Sequence, residues 1–178
     1  IVDTPCKTCD GKGKIRRQKT IEISVPAGID DDQILNVGGK GNAGSNGGPN
    51  GDLHVYITVR PHAIFTRRGN DVWCDMPITF TQAALGAEVA VPTLDGKVSY
   101  TVHEGTQPGD VFKLKGKGIQ SINGRGRGDQ YVRVTVEVPK NLSKRQKELL
   151  QEFEQNADEK NYQKRKSFFG KIKDLFED

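Results

Sequence analysis

Two cysteines near the start of the chain have the spacing of a metal-binding turn. Cys6 and Cys9 open a C-x-x-C-x-G-x-G pattern that ends at Gly13. Two thiolates at this spacing can bind one metal ion, and the glycines allow a tight turn that points backbone amides at the sulfur atoms. Tetrahedral zinc needs two further ligands, and the sequence contains neither a second cysteine pair nor an H-x-x-x-H motif. The pattern therefore predicts half of a zinc site, with an inert remnant and a redox pair as the alternatives.

The other residues that could do chemistry form no catalytic arrangement. Cys74 stands alone in an alternating apolar run, which is typical of core packing. His54, His62 and His103 have no serine, cysteine or carboxylate partner at triad-like positions, and no H-E-x-x-H motif occurs. We therefore predict that the chain is not an enzyme.

A glycine-arginine loop is the feature that could indicate nucleic acid. It reads Gly124-Arg125-Gly126-Arg127-Gly128, in a chain with a net charge of +4 and a pI near 8.9. The 27 lysines and arginines are scattered among 23 acidic residues, which is weak evidence for a phosphate-binding surface. We favour a variable solvated loop, and a nucleic-acid-binding module that uses this loop is the alternative function.

Length and composition favour a folded, turn-rich, mainly β chain. It has 178 residues, of which 34% are hydrophobic and 21 are glycine, within the range of globular proteins. The longest apolar runs are far shorter than the ~20 residues that cross a bilayer, so no membrane span is predicted. The first residues show neither an initiator Met nor a secretory signal, so we expect a fragment or a processed chain. Three cysteines give no disulfide framework, which favours a reducing compartment, and we expect a cytoplasmic location.

The sequence contains an internal duplication at an offset of 102 − 25 = 77 residues. No gap is needed in this register. The matched positions are turn glycines and strand residues, among them Gly28 with Gly105, Gly39-Lys40-Gly41 with Gly116-Lys117-Gly118, Gly51-Asp52 with Gly128-Asp129, and Val55 with Val132. Matches concentrated at turns and on strand faces predict two copies of one β-unit. We call them the first repeat (25–59) and the second repeat (102–136).

Alternation predicts the strands of each copy. Ile21, Ile23 and Val25 alternate with polar residues, which predicts a half-buried strand that leads into the first repeat. A glycine turn, a short strand, a glycine-rich loop and a long strand follow, the last of them at 53–59 in the first repeat. Each repeat is therefore predicted to be a small twisted antiparallel sandwich or meander.

The second repeat is preceded by an additional front half. The pattern predicts a strand at 72–78, a short helix at 81–86 and a strand at 88–91. An Asp-Gly hairpin turn at 94–97 then leads into a strand at 98–102. Shifted back by 77 residues, the front half would begin before Ile1. The cysteine segment stands in its place. We therefore expect the first copy in this chain to lack its front half.

From about Asn141 onward the pattern becomes helical. Ser143-x-x-Gln146 forms a capping box at the start of an apolar periodic run. After a polar stretch, apolar residues recur at i, i+1, i+4, i+7 and i+8, namely Phe168, Phe169, Ile172, Leu175 and Phe176. A helix this short is not stable alone. Its apolar stripe must be buried against its own domain or against a second chain.

Taken together, these features resemble one family. The chain is similar to the C-terminal part of bacterial DnaJ co-chaperones of the zinc-containing class, a heat shock protein family. The resemblance covers essentially the whole chain. It rests on the C-x-x-C-x-G-x-G unit, the V-P-A-G and V-H-E-G turns with their later Gly-Asp pairs, the segment from Phe80 to Gly86, the run Val91-Pro92-Thr93-Leu94-Asp95-Gly96 and the tail Ser167-Phe168-Phe169.

The resemblance implies a cofactor and an assembly. In the family, a zinc module of four such cysteine units is inserted into the first of two β-domains, and Cys6 to Gly13 resembles the fourth unit, which shares its zinc with the first. Cys6 and Cys9 would then lack their partners, so we expect no bound zinc in this chain. The family's C-terminus forms a homodimer, which assigns that role to Phe168, Phe169, Ile172, Leu175 and Phe176.

The resemblance also implies a function. In the family, unfolded or partly folded polypeptides bind as extended apolar segments beside a strand of the first β-domain, through backbone pairing and a side-chain pocket, and are delivered to the DnaK chaperone. The matching positions are Ile21 and Val55, with Ile23 and Leu53 as neighbours, and ordinary core packing is the alternative. We expect weak or altered binding, because the rest of the groove belongs to the front half.

The family's J-domain carries a His-Pro-Asp triplet that stimulates the ATPase of DnaK. That triplet does not occur in this sequence, so we expect no ATPase stimulation.

The predicted architecture is mainly β, with two tandem related small β-sandwich or meander domains, short helices, and C-terminal helices. The predicted domains are the end of the cysteine-rich zinc module (1–14), the second half of the first client-binding β-domain (15–63), the second client-binding β-domain (64–140) and a helical dimerisation segment (141–178).

Overall fold

The computed structural model describes residues 6–9, 13–45, 47–124 and 126–176, except for the side chains of 173–175. In these residues the chain forms strands, three short α-helices and one short 3-10 helix at Glu159–Asn161. The elements are β1 (Ile34–Val37), β2 (Leu53–Tyr56), β3 (Thr66–Arg68), β4 (Asp71–Thr79), α1 (Phe80–Leu85), β5 (Ala87–Thr93), β6 (Gly96–Val102), β7 (Val111–Leu114), β8 (Gln130–Glu137), α2 (Lys144–Asn156) and α3 (Gln163–Phe176). The prediction of a mainly β chain with C-terminal helices is confirmed.

The largest sheet belongs to the second domain and has the strand order β3-β4-β8-β7. Its two central strands, β4 and β8, run parallel, in a register from Val72 opposite Gln130 to Thr79 opposite Glu137. The strand pairs inside the two repeats, β1–β2 and β7–β8, are antiparallel as predicted, and the parallel pair joins the second repeat to its front half. A parallel pair needs a long crossover connection, and α1, the β5–β6 hairpin and β7 all lie between these two strands in the chain.

The core lies entirely in the second domain. The antiparallel β5–β6 hairpin contributes buried residues that join those of β4 and β8, and none of the described residues before Val72 is buried. Cys74 is 4% exposed, so its predicted core position is confirmed. The buried hydrophobic cluster comprises Cys74, Met76, Ile78, Ala83, Val91, Val102, Val132 and Val134.

Equivalent hydrogen bonds in the two repeats confirm the duplication. The Asp52 carboxylate accepts a hydrogen bond from the Gly39 amide at 2.9 Å, and Asp129 accepts one from the Gly116 amide at 2.7 Å. The strand registers repeat as well, since Leu35 pairs with Val55 in the β1–β2 hairpin and the positions 77 residues later pair in β7–β8. Each aspartate thus closes the glycine-rich loop of its own repeat.

Two strands differ from their predictions because a strand needs a partner. The segment around Ile21, Ile23 and Val25 is irregular, although its counterpart in the second domain forms β6. The strand that pairs with β6 is β5, and 77 residues before β5 the chain holds the end of the cysteine unit, where residues 13–16 form no strand. For the same reason β2 spans four residues whereas β8, flanked by β4, spans eight.

The predicted helices are present with their caps. The Ser143 hydroxyl accepts from the Gln146 amide at 3.3 Å, and the Gln146 side chain accepts from the Ser143 amide at 2.9 Å, which completes the predicted capping box at the start of α2. Thr79 and Gln82 form a second capping box that starts α1. Phe153 of α2 meets Phe80 of α1 edge to face, with ring centroids 6.2 Å apart, which links the helical segment to the second domain.

Candidate functional site

One face of the β1–β2 hairpin is apolar and only half covered. Leu35 lies opposite Val55, and Val37 lies opposite Leu53, so the four side chains share one face of the hairpin. All four are partly buried. The other face carries Tyr56, which is 75% exposed. The structure therefore brings the predicted residues Leu53 and Val55 together on one surface.

Ile21 and Ile23 lie on a separate, irregular segment and are also partly buried. The start of this segment is held against the glycine-rich loop of the first repeat, because the Lys14 ammonium donates hydrogen bonds to the Ala43 carbonyl and the Ser45 hydroxyl, each at 3.2 Å. The two isoleucines alternate with exposed residues, as predicted, but no ladder of backbone hydrogen bonds fixes their position. Their place beside Leu53 and Val55 stays a prediction.

The second repeat shows what the same face looks like when it is covered. Val132, the counterpart of Val55, is 0% exposed, and Val134, the counterpart of Ile57, is 1% exposed. Strand β4 lies beside β8 in the second domain, whereas in the described part of the chain β2 pairs with β1 alone. The apolar face and the open edge of β2 thus form one half-exposed surface, which we call the hairpin face.

The cysteine pair forms a turn suited to a thiolate. The Cys9 amide donates to the Cys6 carbonyl at 3.2 Å, and Cys6 is exposed. Hydrogen bonds from the backbone amide of Thr8, and then from that of Cys9, lower the pKa of the Cys6 thiol. Amide donors that stabilise a thiolate are what a zinc-binding sulfur requires. The turn fits two ligands of a tetrahedral site, and within the described residues no group of three or more metal-ligating side chains occurs.

Helix α3 presents its aromatic residues to solvent. Phe168, Phe169 and Phe176 are 61%, 57% and 82% exposed, and Ile172 is partly buried. Phe168 and Phe169 meet edge to face, with ring centroids 5.6 Å apart. The side chain of Leu175 lies outside the described residues. An apolar stripe with this exposure is not covered by the described part of its own chain.

The glycine-arginine loop holds an internal ion pair. Arg127 donates to both carboxylate oxygens of Asp95, at 2.9 and 2.8 Å, and Lys117 lies 3.6 Å from the same carboxylate. These cations lower the pKa of Asp95, chiefly through the Arg127 hydrogen bond. Arg127 therefore ties the β5–β6 turn to the loop instead of facing a phosphate. Arg125 lies outside the described residues.

Sequence reasoning missed two side-chain pairs on the outer face of the large sheet, one aromatic and one charged. Trp73 stacks on Tyr131 at 4.8 Å between ring centroids, and Arg133 forms a two-pronged ion pair with Asp75 at 2.8 and 2.9 Å. Both contacts follow from the parallel register of β4 and β8. No local signal reveals them, since the paired residues are 58 positions apart. They stabilise the central strand pair.

No helix in the described part of the chain combines the length and apolar character needed to cross a membrane.

Comparisons with known proteins agree along the whole chain. A family model described as "DnaJ C terminal domain" matches residues 6–139, and one described as "Chaperone protein DnaJ C-terminal region" matches residues 145–178. The chain is 59% identical over 185 residues to a protein named Chaperone protein DnaJ from Ruminiclostridium cellulolyticum, covering 96% of this chain and 49% of that relative. It is 53% identical to the protein of that name from Acetivibrio thermocellus, covering 98% and 45% respectively.

A third relative of the same name, from Desulfitobacterium hafniense, is 51% identical and covers 100% of this chain and 47% of the relative. The chain thus spans about half the length of the curated relatives it matches. The repeated β-unit, the cysteine turn and the C-terminal helices all fall within the matched residues. The chain therefore belongs to the DnaJ chaperone family, and it corresponds to the C-terminal region that these two models describe.

Proposed function

We propose that this chain binds unfolded polypeptides on the hairpin face and forms a homodimer through α3. Membership of a chaperone family supports the general role. The observation that carries the proposal is the contrast between the repeats, since Val55 is only partly buried where its counterpart Val132 is fully buried. A strand face that is apolar like the core of the second repeat, but only partly buried, is suited to bind an apolar segment.

The hairpin face offers both parts of strand-addition binding. The free edge of β2 can donate and accept backbone hydrogen bonds, which do not depend on the client's sequence. Leu53 and Val55, with Ile21 and Ile23 as the proposed neighbours, provide apolar contacts for alternate client side chains. Completing the burial of a partly buried aliphatic side chain contributes less than about 1 kcal/mol. A few such contacts give weak binding, as a chaperone that must release its clients requires.

The decisive test is aggregation of a chemically unfolded protein diluted into buffer without nucleotide. We expect the chain to suppress this aggregation. Ile21→Asp and Val55→Asp should each weaken suppression, because burying a carboxylate against an apolar segment costs free energy. Ile34→Asp is the matched control, because Ile34 lies on the opposite face of the hairpin and is 52% exposed. If all three variants suppress aggregation as well as the unchanged chain does, and their circular dichroism is unchanged, the proposed client surface is refuted.

Dimerisation through α3 is the second part of the proposal. Burial of the exposed aromatic stripe against a second copy explains why Phe168, Phe169 and Phe176 face solvent in a single chain. Deletion of 167–178 should shift the particle to monomer in sedimentation velocity, whereas Lys171→Ser, at an exposed position on the same helix, should leave the mass unchanged. A constant mass after the deletion would show that the stripe packs within its own chain.

In the whole DnaJ protein we propose that Cys6 and Cys9 supply two of the four ligands of a structural zinc ion, whose chemistry would be to cross-link the chain. The same whole protein would deliver its clients to the DnaK chaperone in the cytoplasm. The His-Pro-Asp triplet does not occur in this sequence, and we propose that the chain holds clients without stimulating the ATPase. An ATPase assay with DnaK and this chain should therefore give the basal rate.

A further inference from the structure

We propose that Arg67 is a positioning residue that fixes the orientation of the first repeat on the second domain. It does so by clamping the turn at 26–29, which we call the joint turn. The orientation of the proposed client surface depends on this joint, so that consequence rests on the proposed function. The joint itself does not.

Arg67 lies on β3 of the second domain and reaches back to the first repeat. Its Nη1 donates to the Ile29 carbonyl at 2.6 Å, and its Nη2 donates to the Gly28 carbonyl at 2.9 Å. Its Nε donates to the Gly69 carbonyl at 2.8 Å, which fixes the guanidinium plane to the β3–β4 turn. The side chain is only 22% exposed. The planar guanidinium is fixed at Nε and donates to two successive carbonyl groups, so it sets the orientation of the turn. The single ammonium group of a lysine cannot do this.

Close packing supports the same turn from a second side. A Cβ atom added at Gly28 would lie 1.9 Å from the Gln120 carbonyl oxygen, so the backbone of the joint turn lies directly on a loop of the second domain. Gly105 is the counterpart of Gly28 in the second repeat and has a similar positive φ, +76° against +87°. A Cβ atom at Gly105 would meet nothing within 4 Å. The crowding is therefore specific to the joint and is not inherited from the repeated turn.

Few other contacts define the orientation of the first repeat. Strands β1 and β2 pack chiefly on each other, and no described residue of the first repeat is buried. Asp31, two positions after the joint turn, accepts from the Val59 amide at 2.8 Å, and this bond lies within the first repeat. No apolar core spans this junction in the described residues. Its geometry therefore depends on the hydrogen bonds of Arg67 and on the packing of Gly28 against Gln120.

The position of the joint gives it a consequence for binding. The segment that carries Ile21 and Ile23 ends at the joint turn, and β1 begins five residues after Ile29. Both parts of the proposed client surface are therefore attached to the second domain through the clamp. In a dimer held together by α3, the clamp would set the direction in which each copy presents its client surface.

Energy transfer measures the joint directly. Trp73 is the single tryptophan of the chain and lies in the second domain. An acceptor dye on a cysteine introduced by Tyr56→Cys, with Cys6→Ser and Cys9→Ser, marks the first repeat at an exposed site, while Cys74 stays buried. Time-resolved transfer from Trp73 to the dye then reports the distribution of distances between the two domains.

The full chain should give one narrow distribution. Arg67→Ala and Gly28→Ala should each broaden it and shift its mean, and Arg67→Lys should have an intermediate effect. Arg145→Ala is the matched control for the arginine, because Arg145 lies exposed on α2, pairs with Glu148 and forms none of the joint bonds. Gly105→Ala is the matched control for the glycine. Far-UV circular dichroism, measured on each variant, shows whether the strands remain folded.

Two results overturn the proposal: an unchanged distribution in Arg67→Ala, or equal broadening in the Arg145→Ala and Gly105→Ala controls. If Arg67→Ala loses strand signal, Arg67→Lys and Gly28→Ala decide, and an unchanged distribution in both of these folded variants overturns it. Client suppression by the full chain is measured separately. A failure there with an altered distribution in Arg67→Ala rejects the proposed function and leaves the joint intact.

Discussion

The two repeats allow one substitution to be made in two environments. Val55 and Val132 occupy equivalent strand positions, but Val55 is partly buried and Val132 is 0% exposed inside the core cluster. We predict that Val132→Ala destabilises the chain clearly more than Val55→Ala does. The pair therefore tests whether the first repeat has a core of its own.

The magnitudes follow from burial. Val132→Ala removes two methyl groups from a closed core, which costs about 1.6 kcal/mol of transfer free energy and about 1 kcal/mol for the cavity that remains. Val55→Ala removes the same groups from a partly buried surface, which costs about 1–1.5 kcal/mol of transfer free energy and adds no cavity term, since no closed cavity forms. For a chain of this size 1 kcal/mol corresponds to about 2–4 °C in the unfolding midpoint. We expect losses of about 5–10 °C for Val132→Ala and about 2–6 °C for Val55→Ala.

Differential scanning calorimetry of both variants beside the unchanged chain provides the measurement. The aggregation assay provides the complementary one, because Val55→Ala should weaken client suppression while Val132→Ala, measured well below its midpoint, should not. Equal midpoint losses in the two variants would refute the reasoning. That result would mean that the hairpin face is sealed in a core and cannot serve as a client surface.

Three further predictions concern single groups. The Arg127 hydrogen bond lowers the pKa of Asp95 below its ordinary value of 3.8, so the stability it contributes is present above that pH and is lost as the pH falls through the lowered pKa; Asp95→Asn should lower the unfolding midpoint at pH 7 and have little effect in strong acid. The Cys6 thiol, whose pKa is lowered by backbone amides, should be alkylated faster at neutral pH than the Cys74 thiol, whose pKa is raised by burial, and mass spectrometry of timed iodoacetamide reactions would show this, with equal rates contradicting the turn geometry. Ser143→Ala removes the capping box of α2 and should cost about 1 kcal/mol, seen as a loss of helical circular dichroism, and an unchanged signal would show that tertiary contacts alone hold this helix.

Local features of the fold could be predicted from sequence because their causes lie within a few residues. The capping box of Ser143, the Asp95-Gly96 hairpin turn and the cysteine turn each depend on neighbours four or fewer positions away. The duplication could be predicted too, since the same turn residues recur at a constant offset, and the Gly39–Asp52 bond reappears as Gly116–Asp129.

The candidate site could be predicted only in part. Alternation identified Leu53 and Val55 as one apolar face, and the register of β1 with β2 confirms that they share it. Alternation does not state whether a partner strand is present, so it could not separate an open face from a core. It also predicted a strand at Ile21, Ile23 and Val25, which is wrong because no strand in the described part of the chain lies beside that segment to pair with it.

By itself, the sequence determined the repeated unit, the turns, the caps and the alternation of apolar residues, because chain stereochemistry and side-chain type act over short distances. Only the tertiary structure decided that β4 runs parallel to β8, that Arg127 binds Asp95, and that Arg67 holds Gly28 and Ile29. Those contacts join residues 32 to 58 positions apart. Equivalent strand patterns thus became a sealed core in one repeat and a partly exposed surface in the other, because burial depends on which strands lie alongside and on which elements pack across the face.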